Sequence, residues 1–115
     1  MYPLLLHPSL TTEKWSGYSL DQQLLMIGNE INRLINGIKA GQNESERRST
    51  IERAFELTDL TISCQKGSLQ KELLLWRDVL ATLYLLNYDD FSASPLSQKL
   101  YKVLLLMNPK TALLL

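Results

Sequence analysis

The sequence predicts an all-α protein: an up-down-up-down four-helix bundle preceded by an irregular N-terminal arm. Three observations carry that prediction. Leu20, Leu24, Ile27, Ile31, Leu34 and Ile38 alternate at spacings of four and three, so a helix presents them as one apolar seam that needs partner helices to cover it. No stretch alternates apolar and polar residues as a half-buried strand would. The first two connections are short and bear glycine, which makes consecutive helices antiparallel neighbours. A three-helix core with the fourth helix packed across one end is the alternative arrangement.

Residues 1–18 form the arm, with Pro3, Pro8 and Gly17 as breakers and Trp15 and Tyr18 as anchors. A single helical turn fits near 11–15. Residues 19–115 form the bundle, as one domain. Ser19 and Gln22 have capping-box spacing and open the first long helix at about 20–40. Gly41 supplies the left-handed residue that ends it. The second helix follows Asn43, whose capping partner is Glu46, and runs to Cys64. Its apolar face carries Ile51, Ala54, Phe55, Thr58 and Ile62, widened by Leu57 and Leu60. Arg48 and Glu52 have the i,i+4 spacing of a surface ion pair.

Ser68 is the expected cap of the third helix, with Gly67 as the breaker before it. Leu69, Leu73, Trp76, Leu80 and Leu83 form its seam, and Leu75, Val79 and Leu86 a second apolar edge. Apolar on more than one face, it is expected to be the central helix. Residues 87–90 read as a turn. Ser94-Pro95 is a helix-start signal for the fourth helix, which carries Leu96, Leu100, Val103, Leu104 and Met107 and stops before Pro109. The tail 111–115 ends in three leucines.

Composition narrows the function. The 115 residues are 45% hydrophobic and 21% charged, ordinary for a globular domain with one modest core. Lys plus Arg and Asp plus Glu are both 12, which argues against a nucleic-acid binder, whose affinity comes largely from phosphate neutralisation. Cys64 is the only cysteine, so no internal disulfide forms and the cytoplasm is the expected location. The apolar run at 4–6 lacks a basic flank and stops at Pro8, too short for a signal peptide. No apolar run approaches a membrane span.

Catalytic and metal signals are sparse. One histidine, His7, and one cysteine cannot supply a structural zinc site. No phosphate-binding loop and no nucleophile elbow is present. No cofactor is expected. Glu52, Glu56 and Asp59 lie at i, i+4 and i+7 on one helical face, the weak metal candidates of this chain. Glu56-x-x-Asp59 resembles half of the Glu-x-x-Glu, Glu-x-x-Asp signature of the all-α nucleotide pyrophosphohydrolases. The upstream half is absent. That resemblance implies a metal-dependent nucleotide hydrolase, the alternative reading. RNA association through Arg47, Arg48 and Arg53 is another, although no aromatic residues interleave them. Ser19 to Leu60 also resembles the flagellar export chaperones in general bundle features, over less than half of the chain. Ile27-Gly28-Asn29 stands where that family has Tyr-Asp-Gly.

Two groups remain as candidates for partner binding. Asn29, Asn32, Arg33 and Asn36 share the first long helix, and asparagine is a mediocre helix former, which suggests side chains with a hydrogen-bonding task. Leu4, Leu5 and Leu6 at one end and Leu113, Leu114 and Leu115 at the other are leucines outside the predicted helices. Exposed, such patches are interaction sites. The expected function is therefore non-catalytic: a small helical bundle that binds another protein or a second copy of itself.

Overall fold

The computed structural model describes residues 10–85 and 90–115, and side chains there outside 90–94. Six helices follow in order: α1 (Thr12–Ser16), α2 (Leu20–Lys39), α3 (Glu44–Cys64), α4 (Gly67–Leu85), α5 (Asp90–Leu106) and α6 (Pro109–Ala112). Among the described residues there is no strand. Helices α2 to α5 form the up-down bundle. Helix α2 packs on α3 and α5, and α4 packs on the same two, so α2 and α4 lie diagonally. Packing of α5 along both α2 and α4 closes the ring, which decides against a three-helix core.

The helix starts read from the sequence are present. Ser19 Oγ accepts from Gln22 N–H at 3.4 Å while Gln22 Oε1 accepts from Ser19 N–H at 3.0 Å, a complete capping box. Asn43 Oδ1 accepts from Glu46 N–H at 2.9 Å. Gly41 takes φ +74°, as the reversal after α2 requires. A hydrogen bond from Ser19 holds the Asp21 carboxyl below its ordinary pKa. A depressed carboxylate stabilises the fold at neutral pH, and that contribution is lost as pH falls through the acid range.

Three boundaries differ from expectation. Helix α4 begins at Gly67, not after a Ser68 cap, because Gly67 makes the reversal itself at φ +70°. Helix α5 begins at Asp90, so Ser94-Pro95 is not its start. Pro95 lies inside the helix, in its second turn, where it forfeits the bond to the carbonyl of Phe91 and its ring crowds that carbonyl. The expected turn at 87–90 lies outside the described residues apart from Asp90. After Pro109 the chain is not a plain tail. Asn108 Oδ1 caps Lys110 N–H at 2.8 Å and proline occupies the first turn of α6.

The core is built around α2, which corrects the expectation that the third long helix is central. Leu24, Ile27, Ile31, Leu34 and Ile38 are all buried, flanked by Gln23, Gly28, Ile35 and Gly37. Opposite them stand Ile51, Ala54, Leu57, Thr58 and Leu60 from α3, and Leu100, Leu104 and Leu105 from α5. Helix α4 contributes Leu73, Trp76, Leu80 and Leu83 only. Its diagonal position leaves it two neighbours, so Leu75 and Val79 of its second apolar edge stay uncovered, while Leu86 lies outside the described residues. Val103, expected on the inner face of α5, is exposed as well.

The end of the arm is fixed to the bundle. Trp15 of α1 is fully buried, and its Nε1–H donates to Thr61 Oγ1 of α3 at 2.9 Å. Gln23 Nε2 donates to the carbonyls of Trp15 and Tyr18 at 2.8 and 3.2 Å. Tyr18, the other expected anchor, sits edge-on to Trp15 at 5.8 Å and is partly exposed.

Gly28 marks a close approach of α2 and α5. A Cβ there would meet Tyr101 Cε1 at 3.4 Å and Leu105 Cδ2 at 3.8 Å, which is ordinary contact. Gly28→Ala is expected to stabilise the protein by about 0.5–1 kcal/mol through helix propensity. Chemical denaturation measures it, and a loss of stability would mean that the two helices pack too tightly for a methyl group.

Candidate functional site

The residues singled out in the sequence fall at separate places. Leu4, Leu5, Leu6 and His7 lie outside the described residues. Leu113, Leu114 and Leu115 follow α6 and are 84, 62 and 51% exposed. They project beyond an anchored segment, since the buried Thr111 hydroxyl donates to the carbonyl of Leu105 at 2.5 Å.

Asn29, Arg33 and Asn36 share the exposed face of α2, with Asn32 half-buried beside them. Asn29 and Arg33 reach the wall of a small cleft of about 240 Å³, together with Tyr18 and Met26. Beneath lies an ion network that the sequence did not reveal. Glu30, only 6% exposed, accepts from Arg53 Nε at 3.0 Å and from Arg33 Nη1 at 2.9 Å. Arg53 also donates to Ser49 Oγ and Thr50 Oγ1. The three arginines of α3 therefore do not make one basic face. Arg53 binds Glu30, Arg47 is buried, and Arg48 pairs with Glu44 at 2.9 Å over the ring of Tyr84. Arg48 does not pair with Glu52. An acid four residues N-terminal to a base is the better orientation on a helix.

The carboxylate row on α3 faces α4. Asp59 takes a two-pronged contact from Arg77, at 2.5 Å to Nε and 3.2 Å to Nη2, while Arg77 covers the ring of Phe55 at 4.8 Å. Glu52 accepts from the Tyr84 hydroxyl at 3.3 Å. Glu56 is half-buried and has a polar or ionic contact of its own. Asp59 is thus engaged by a guanidinium and Glu52 by a phenol hydroxyl. Among the described residues, no three His, Cys, Asp or Glu side chains are grouped to hold a metal ion.

A larger concavity lies elsewhere, between α4 and α5. It is a groove of about 550 Å³. Trp76 and Leu100 form its floor, and both are buried. Trp76 Nε1–H donates to the Leu100 carbonyl at 2.9 Å, which fixes the two helices at one level. The walls are Leu75 and Val79 from α4 and Val103 and Leu106 from α5, exposed by 67, 41, 41 and 60%. Glu72 and Lys99 stand at its margins.

Helical periodicity creates this groove. Leu75 and Val79 repeat at i, i+4, and Leu96, Val103 and Leu106 at i, i+7, i+10, so each helix offers the groove one continuous apolar edge. Such a trough matches the anchors of an amphipathic helix laid along it. The second edge of α4 was legible in the sequence as Leu75 and Val79; its partner edge on α5 was not.

No helix among the described residues is long and apolar enough to cross a membrane. No known protein family, no curated protein and no solved structure matches this chain.

Proposed function

We propose that this chain is a non-catalytic helical interaction module, and that the α4–α5 groove is where it docks another protein chain. The observation that carries the reading is the uncovered apolar edge of two adjacent helices over a rigid Trp76–Leu100 floor. Burying a leucine or valine side chain gains roughly 1.5–3 kcal/mol. Four wall residues about half exposed can then contribute on the order of 3–6 kcal/mol, before the entropic cost of association. Chemistry has less support on the described surface, where the conspicuous carboxylates face arginine or tyrosine partners. The single, half-buried Cys64 suits a reducing cytoplasm, which we take as the setting of this interaction.

Site-directed photo-crosslinking in cell extract tests the proposal. A photoreactive residue at position 75 is expected to give discrete adducts, and one at position 36, on the polar face of α2, only background. Equal labelling from both positions would refute the groove as the docking face.

A further inference from the structure

We infer that the occupant of the groove is a second copy of this chain, seated about a two-fold axis parallel to the helices. The inference rests on the docking reading above. It adds the identity of the partner and the geometry of the complex.

A two-fold axis in that direction preserves helix direction and exchanges left for right. Each α4 then lies against α5 of the other copy, antiparallel to it. That is the relation α4 already has with α5 inside one chain. The two hairpins close into a second four-helix arrangement, and both apolar edges of α4 are covered.

The register follows from the Trp76–Leu100 hydrogen bond, which fixes those residues at one level. With a rise of about 1.5 Å per residue, Leu75 stands within about 3 Å of the level of Val103 and Val79 within about 2 Å of Leu96. Leu75 therefore meets Val103, and Val79 meets the groove-lining Leu96. On the margins, exposed Asp78 lies within about 2 Å of the level of exposed Lys99. Neither forms an ion pair within the chain among the described residues. Under the two-fold axis Lys99 meets Asp78 of the partner subunit, and the contact occurs twice. Asp78, one turn from Leu75, and Lys99 therefore make this stretch of the groove complementary to itself, while exposed Lys71 and Glu72 lie further along α4.

Sedimentation velocity of the full chain, from low to several hundred micromolar, tests this. The wild type is expected to dimerise reversibly, and Leu75→Glu to abolish the dimer. Lys99→Glu and Asp78→Lys should each weaken it by about tenfold, since each removes two rim pairs. The charge-swapped double variant should recover most of the loss. All three positions are exposed, so circular dichroism should show intact helices. A dimer indifferent to the charge changes, or to Leu75→Glu, overturns the geometry.

A monomer at every concentration overturns the second copy as occupant. The fluorescence of an anilinonaphthalene dye then separates this failure from that of the docking reading. Dye bound by the wild type and lost in Leu75→Glu leaves the groove as a docking face for another protein. Dye bound equally by both, or by neither, removes both readings.

Discussion

Trp15→Ala is expected to destabilise the protein by about 3–5 kcal/mol, in the range of the costliest core truncations. The side chain is fully buried between α1 and the bundle. Its removal opens a cavity, strips Thr61 of its indole partner, and loosens the segment that supplies two carbonyls to Gln23. Gln23 is itself buried and its Oε1 already lacks a partner, so losing the two carbonyls would leave both ends of its amide unsatisfied. Trp15→Phe keeps much of the ring packing and loses the N–H, so its cost should be roughly half as large. Urea denaturation measures both. A loss below about 1 kcal/mol for Trp15→Ala would show that α1 lies loosely on the bundle.

Glu30→Ala is expected to cost about 2–4 kcal/mol. Breaking a buried ion pair from one side typically costs about 3–5 kcal/mol, and Arg53 retains some access to water, which softens the penalty. The double variant Glu30→Ala/Arg53→Ala should be more stable than the sum of the single losses implies, because it leaves no stranded charge. Strict additivity in that cycle would mean that the two groups do not couple. Arg33→Ala should cost only a few tenths of a kcal/mol, since its side chain is two-thirds exposed.

The bundle was legible in the sequence because it rests on local patterns. The seam from Leu24 to Ile38, the Ser19–Gln22 box and the Asn43–Glu46 cap each involve residues within a few positions of one another. Periodicity also found both apolar edges of α4. What it could not supply was which edge meets a neighbour. A helix apolar on two sides is central in one packing and peripheral, with a docking edge, in another. Only the diagonal placement of α4 decides between them. The helix start at Ser94-Pro95 was misplaced because serine followed by proline has the local pattern of a first helical turn, and nothing near it in the sequence shows that the helix begins at Asp90.

Pairings across the bundle left no trace in the sequence. Glu30 and Arg53 are 23 residues apart, and Asp59 and Arg77 are 18 apart. Nothing in their local context marks them as partners, so Arg53 reads as part of a basic cluster and Asp59 as part of an acidic row. The groove itself is half legible. Leu75 and Val79 are conspicuous, but Val103 and Leu106 sit in a run of apolar residues where several faces fit equally well.

On the docking reading, the apolar edges of α4 and α5 serve a partner and not the stability of the chain. Thermal unfolding and crosslinking yield, measured side by side on Leu75→Gln/Val103→Thr with a photoreactive residue at position 79, test it most directly. The expected result is a Tm within a few degrees of the wild type, as for exposed substitutions, together with loss of the adducts. A Tm lowered by about ten degrees or more, or adducts that persist at the wild-type yield, would contradict it.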